Sequence, residues 1–286
     1  MAAATGYDGP NDEQLHAYAE LDYIDLPIYG EKLAEVFAVR VPGAATSSRG
    51  NRPPPCGMIH VFGRNFSQSL IFNRSHCDDP TSPHPCDSQG NLVLTGPERT
   101  ISSDGRISFH IYLHDNSREF SSEESWENGV DLDQDIRIYD RPISVTVNTP
   151  YGPAEVIYAI MSQGVECKVA VTLARQDGED PISLFGRIVA RSELFDIGCV
   201  LFYNEHVKGI CVGSGDLIPL ARNLLVVPLY KLLVIELDLH SYYGDEIMRE
   251  TLEFHPFTEG KQMARLISKS GAEIEVTISL TQYFFL

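Results

Sequence analysis

Two stretches of this chain repeat each other, and that repetition constrains the fold more than any other feature. The pattern "GMIHV…SLIFN…LVLTGPERTI…ISFHIYLH", residues 57–114, returns as "GRIVA…VLFYN…DLIPLARNLL…LVIELDLH", residues 186–240. Arg99 then falls opposite Arg222, and His114 opposite His240. The closing segments also agree, "GVECKVAVTLAR" (164–175) with "GAEIEVTISLTQ" (271–282). A repeat of this length means that one supersecondary unit is built twice. Within each copy, apolar and polar residues alternate in short runs bounded by Gly, Pro, Asp and Asn, the mark of half-buried strands. Such runs include 35–41, 57–63, 69–73, 92–96, 107–114, 143–148, 156–161, 232–240 and 273–280. A spacing of roughly 8–15 residues leaves no room for the crossover helices of a parallel sheet. The expected fold is all-β, with two tandem repeated antiparallel β-sandwich modules at 34–175 and 181–286. Residues 1–33 form an N-terminal extension, partly helical around 11–21, and a second short helix is expected at 243–252. One run stays open: "VAVTLA" (169–174) matches both the last strand of copy two and "VFAVRV", which opens copy one.

The first copy differs mainly by an acidic, Ser-rich insertion at 115–135, expected to be a solvated loop. It holds the single tryptophan, Trp126, together with Phe120. An aromatic ring among carboxylates suits a protein partner with a basic surface. The alternative is that Trp126 folds back and closes the first core.

Charge narrows the function classes. With 40 acidic against 22 basic side chains, the net charge of −18 opposes nucleic-acid and anionic-membrane partners, and Lys and Arg are scattered singly. No apolar run approaches a membrane span, and the first residues lack the basic and apolar regions of a secretory signal. A cytoplasmic or nucleocytoplasmic setting follows, in which the six cysteines are reduced.

His76, Cys77, His84 and Cys86 supply the residue types of a tetrahedral zinc site, but adjacent His76 and Cys77 strain joint ligation. A Cys77–Cys86 bridge under oxidation is the competing use of the same loop. Asp131, Asp133 and Asp135 imitate a calcium loop, which fails at Ile136 and Pro142. A looser C2-like calcium- or lipid-binding set would gather Asp104, Asp115, Asp131 and Asp133. No cofactor is expected. Asn73 and Asn204 occupy matching positions of the two copies and are assigned to the fold, as are Arg99 and Arg222, strand-end guanidinium groups suited to backbone carbonyls or an acid.

Several of these stretches, "VFAVRV" (36–41), "LIFNRS" with Cys77 and Asp78, "LVLTGPERTI", "FGRIVAR", "IPLARNLLVV" and "EIEVTISL", resemble a plant domain family of unknown function abundant in cereals. Its members occur alone and fused behind ribosome-inactivating domains in jasmonate-induced proteins. The resemblance implies a stress- or defence-associated protein, and its fused relatives imply an alternative role in rRNA N-glycosylase activity. That chemistry needs a Glu and an Arg one helical turn apart, and Glu246 and Arg249, after Tyr242 and Tyr243, are the candidates.

Overall fold

The computed structural model describes residues 30–44, 54–64, 68–74, 86–87, 89–103, 106–115, 121–135, 138–175, 181–205, 209–256, 260–269 and 271–281. The expected helix at 11–21, together with His76, Cys77, His84, Asp104 and Phe120, lies outside them.

One strand organises the molecule. β8 (Gly152–Arg175) runs for 24 residues through the middle of a seven-stranded antiparallel sheet. Along one edge it pairs first with β1 (Glu31–Arg40) and then with β12 (Leu224–Pro228). Along the other it pairs first with β7 (Ile143–Thr149) and then with β16 (Glu273–Thr281). β4 (Ile101–Ser102) extends the β1 side and β15 (Gly260–Ile267) the β16 side.

Two smaller sheets pack on this one. The first has the order β3 (Gln68–Arg74), β2 (Cys56–Phe62), β5 (Arg106–His114), β6 (Val130–Asp135). The second has the order β10 (Cys199–Asn204), β9 (Ile182–Ser192), β13 (Leu233–Ser241), β14 (Glu246–Phe254), with β11 (Ile210–Val212) also on β9. Strand orders therefore match between the copies, β3-β2-β5-β6 over β7-β8-β1-β4 and β10-β9-β13-β14 over β15-β16-β8-β12. The run left open by the sequence, 169–174, belongs to the second copy, while β8 as a whole closes the first with its early residues and opens the second with its later ones. Its later residues Val165, Cys167, Val169, Val171 and Leu173 lie in the second core, whereas Ala154, Val156, Tyr158 and Ile160 lie in the first.

The copies agree in detail. Gly57 and Gly186 both have positive φ, +138° and +118°, and a Cβ on either would meet the facing carbonyl of Tyr112 or Asp238 at 1.8 or 2.0 Å. Each copy also has a bulge at the same place, at Ile71 on β3 opposite Ile59 and His60, and at Leu201 on β10 opposite Val189 and Ile188. Register corrects one equivalence. Gly57 pairs with Arg74 and Gly186 with Asn204, so Asn204 corresponds to Arg74 rather than to Asn73.

The modules meet across β1, which is buried on both faces. Val36 and Val39 point into the first core, while Leu33 and Phe37 join the second. Phe37 packs on Phe195, with ring centroids 5.0 Å apart. Between these apolar residues lies an ion pair: Arg222 Nη2 donates to Glu35 Oε1 at 2.5 Å, and both residues are almost fully buried. The network is shared, since Arg222 also donates to Val36 O and Leu224 O, while Glu35 Oε2 accepts from Val226 N at 2.6 Å. Burial alone would depress the Arg222 guanidinium, but the carboxylate beside it raises it above its ordinary range.

Three local expectations are corrected. The insertion is not one solvated loop: α1 (Ser122–Asn128) and β6 occupy much of it. Residues 243–252 are not helical, because they form the turn into β14 and β14 itself, with Ile247, Met248, Leu252 and Phe254 buried. The run 92–96 holds only an isolated bridge at Leu92 rather than a strand. Among the described residues no helix is long and apolar enough to cross a membrane.

Candidate functional site

The outer face of the β3-β2-β5-β6 sheet carries the most developed side-chain cluster. Alternation sends Ile107, Phe109, Ile111 and Leu113 of β5 and Ile59 and Val61 of β2 into the core, which turns Ser108, His110, His60 and Phe62 outward. Register places His60 beside His110, and His110 beside Asp131 of β6.

Helix α1 lies over this face. Its Trp126 ring stacks on His110 with centroids 4.1 Å apart, and on His60 at 5.1 Å, with Phe62 tilted at 6.0 Å. The helix starts there because the Ser121 hydroxyl caps it, accepting from Glu124 N at 3.0 Å, and Glu123 and Glu124 complement the positive end of the helix dipole. It stops at Gly129, where a Cβ would come within 2.2 Å of His110 Nε2. Val130 and Leu132 then pack on the first core and fix the segment to the sheet.

Both ring nitrogens of His110 are engaged. His110 Nδ1 lies 2.7 Å from Asp131 Oδ1, and Nε2 lies 3.0 Å from Ser125 O. Both partners are acceptors, so only the doubly protonated ring donates to both. The pair resembles an acid–base dyad, yet the nitrogen that would accept a substrate proton already faces a backbone carbonyl. Gln68 Nε2 donates to His60 Nδ1 at 2.6 Å, and the buried His60 Nε2 has no hydrogen-bond partner among the described residues. Burial first, then the charge of His110, hold His60 below its ordinary 6.5.

That shift sets a pH dependence. The unfolded chain takes up a proton at His60 near 6.5, whereas the folded chain resists until lower pH. The unfolded state thus binds more protons in that window, and stability falls as pH drops through it. Urea unfolding at pH 7.5 and 5.5 should show a smaller loss for His60→Gln than for the wild type; equal losses would contradict the assignment.

Trp126 remains 43% exposed and belongs to neither core. Glu123 and Glu127 are exposed on the same helix, and the Asp131 side chain is 78% exposed. The site is thus a rigid aromatic face among carboxylates. Sequence reasoning selected Trp126 but missed His60 and His110. The available signal was a histidine at an outward position of each of two neighbouring strands, "GMIHVF" and "ISFHIY".

The other candidates do not converge. Asp131 and Asp133 sit in a strand rather than in a calcium-binding loop; Asp133 accepts from Ser108 and from Arg106 at 3.1 Å. Asp115 is exposed just after β5. Cys86 is a buried thiol outside any disulfide, 3.5 Å from Ala44 O, so the expected Cys77–Cys86 bridge is corrected. Burial, then Asp87, push that thiol up to about 11, which disfavours the thiolate a metal needs. Cys56 is disulfide-bonded, against the expectation of six reduced cysteines. Among the described residues no group of three or more His, Cys, Asp and Glu is gathered for a metal. Glu246 and Arg249 lie on β14 in register with His240 and Asp238, without the helical turn that would bring them together. Arg99 donates through Nε and Nη2 to Gln68 O at 3.0 and 2.8 Å. Asn73 is exposed on β3, and Asn204 Nδ2 lies 3.4 Å from Leu184 O.

This duplicated β architecture belongs to a recognised family. Residues 33–278 match the model of the Domain of unknown function (DUF6598), and the chain is a member of that family. No curated protein matches it. Similar solved structures include human GIVD cytosolic phospholipase A2 in complex with methyl gamma-linolenyl fluorophosphonate inhibitor and terbium chloride, at 9% identity and a TM-score of 0.24, covering 87% of this chain and 33% of that one. Human GIVD cytosolic phospholipase A2 by itself gives 9% identity and a TM-score of 0.24, covering 89% and 30%. The chain spans about a third of the length of those structures, and a likeness this low carries no argument about its chemistry.

Proposed function

We propose that this protein is a non-enzymatic binding module that works through protein–protein contact, with Trp126 anchoring a basic partner surface. One observation carries the reading: Trp126 is exposed yet immobilised, its ring stacked on two buried histidines beneath a capped helix. A ring already fixed in place loses little conformational entropy on binding, which is what makes an aromatic residue an efficient anchor. The exposed carboxylates around it steer a basic surface toward the ring and repel an acidic one.

A role in plant stress or defence is part of the proposal and rests on the sequence resemblance alone. An intracellular setting belongs to it too; the thiols of Cys86, Cys167, Cys199 and Cys211 suit a reducing compartment, and the disulfide at Cys56 does not. Capture on the immobilised chain, run in parallel with Trp126→Ala, tests the contact reading. The expected outcome is a basic protein retained by the wild type, released by salt and lost from the variant. Identical retention by both would sink the proposal.

A further inference from the structure

The two histidines that support Trp126 leave one side of its ring open. They stand side by side on neighbouring strands, and both lie nearly parallel to the indole, at interplanar angles of 28° for His110 and 27° for His60. Both therefore occupy the same face of the indole, with Phe62 tilted beside it, and the opposite face accounts for the exposure of Trp126. Charge around the ring is unmatched. Glu123 precedes Trp126 by three residues, the spacing that makes two helical side chains neighbours, and Glu127 follows Glu123 by four. Neither has an ion-pair partner among the described residues. Asp131 adds a further carboxylate, its Oδ1 2.7 Å from His110 Nδ1 and most of its side chain exposed. Against these and Glu124 stand only the His110 ring and Arg64, two residues past Phe62, because Arg106 is paired with Asp133 and burial disfavours charge on His60.

Resting on the contact reading above, we infer that the group seated on Trp126 is an arginine side chain of the partner. Its planar guanidinium continues the stack begun by the two imidazoles, lying on the open face of the indole while its in-plane N–H groups reach outward to Glu123 and Asp131. Lysine fits less well. Its ammonium is compact and strongly hydrated, and its donors do not spread in a plane to meet carboxylates at the edge of the ring. The inner face adds a second reason, since His110 gives its N–H groups to Asp131 and Ser125 O as a cation. A point charge on the outer face is opposed by that cation more than a charge spread over a guanidinium.

The probe is a capped heptapeptide of alternating glycine and arginine, compared with the same peptide carrying lysine or citrulline, the uncharged isostere of arginine. Trp126 is the single tryptophan, so its emission reports occupancy of this face directly. Titration of the full chain should change that emission saturably with the arginine peptide, with binding at least about five-fold weaker for lysine and ten-fold weaker for citrulline. Calorimetry extends the comparison to Trp126→Leu, which keeps an apolar cover on the histidines without the π face, and to Glu123→Gln. Each should weaken the arginine peptide and narrow its advantage over lysine. Trp126 belongs to neither core, and the melting temperature of each variant without peptide checks that it is folded. Lysine binding within about two-fold of arginine, with both lost from Trp126→Leu, overturns the arginine assignment and leaves the anchor reading standing. Arginine binding unaltered by Trp126→Leu overturns both. Citrulline equal to arginine, or no saturable change with the arginine peptide, overturns the inference.

Discussion

Glu35→Ala should destabilise the chain by about 3–5 kcal/mol, the cost of leaving a buried guanidinium without its counter-charge. In the wild type Arg222 and Glu35 satisfy each other and also fasten the modules, because the carboxylate accepts Val226 N and the guanidinium donates to Val36 O. Alanine removes both the charge and the acceptor, leaving Arg222 with carbonyls alone and Val226 N without its partner. The double replacement Glu35→Leu with Arg222→Met should recover most of the loss, since an apolar pair of similar volume avoids the desolvation of both ions. Urea unfolding of the two variants beside the wild type measures the effect. A single substitution costing under about 1 kcal/mol would show that the pair does not hold the junction.

Gly57→Ala and Gly186→Ala should each cost about 3 kcal/mol or more, from two sources. A residue with a Cβ is strained by about 1–3 kcal/mol at these positive φ values, and forcing the facing strand away adds about 1–3 kcal/mol. The two costs should be similar, because both methyl groups would strike the same carbonyl of the equivalent strand, Tyr112 O or Asp238 O. Gly215→Ala is the control. Its φ is +87°, but nothing lies within 4 Å of the added carbon, so only the backbone part should be lost. If the control cost as much as the two strand substitutions, the close approach would not be what selects glycine.

These glycines show how far the sequence could be read. The matched "G-x-I" starts revealed the duplication, and alternation identified β2, β5, β9 and β13, because each turns one face to a core, while β1, buried on both faces, showed as a short apolar run. β8 was harder. Gly164 in "SQGVE" reads as punctuation between two strands, yet it sits inside β8, where a Cβ would meet Val226 Cγ1 at 2.9 Å and Leu33 Cβ at 3.0 Å. It is small because neighbouring strands crowd it, a reason invisible without the tertiary structure. β14 misled in another way, since the register shift opposite Leu239 and His240 leaves Ile247 and Met248 both buried and breaks the alternation. The insertion did carry legible signals, the capping box Ser121-x-x-Glu124 and the alternation of "VDLDQD", which acidic composition obscured. Trp126 stood out as the only tryptophan. Its support by His60 and His110 depends on two cross-strand registers and on where the helix docks, none of which local sequence specifies.

The contact proposal rests on Trp126 acting as an anchor rather than as a cover for the sheet. The most direct measurement is the affinity of a captured basic partner for the wild type and for Trp126→Ala, taken across a series of salt concentrations. A central anchor truncated to alanine costs about 2 kcal/mol or more, so affinity should fall at least about 30-fold, chiefly through faster dissociation. Glu123→Gln with Glu127→Gln should instead slow association and flatten the salt dependence. Affinity within two-fold of the wild type for Trp126→Ala, with the variant's fold intact, would contradict the account.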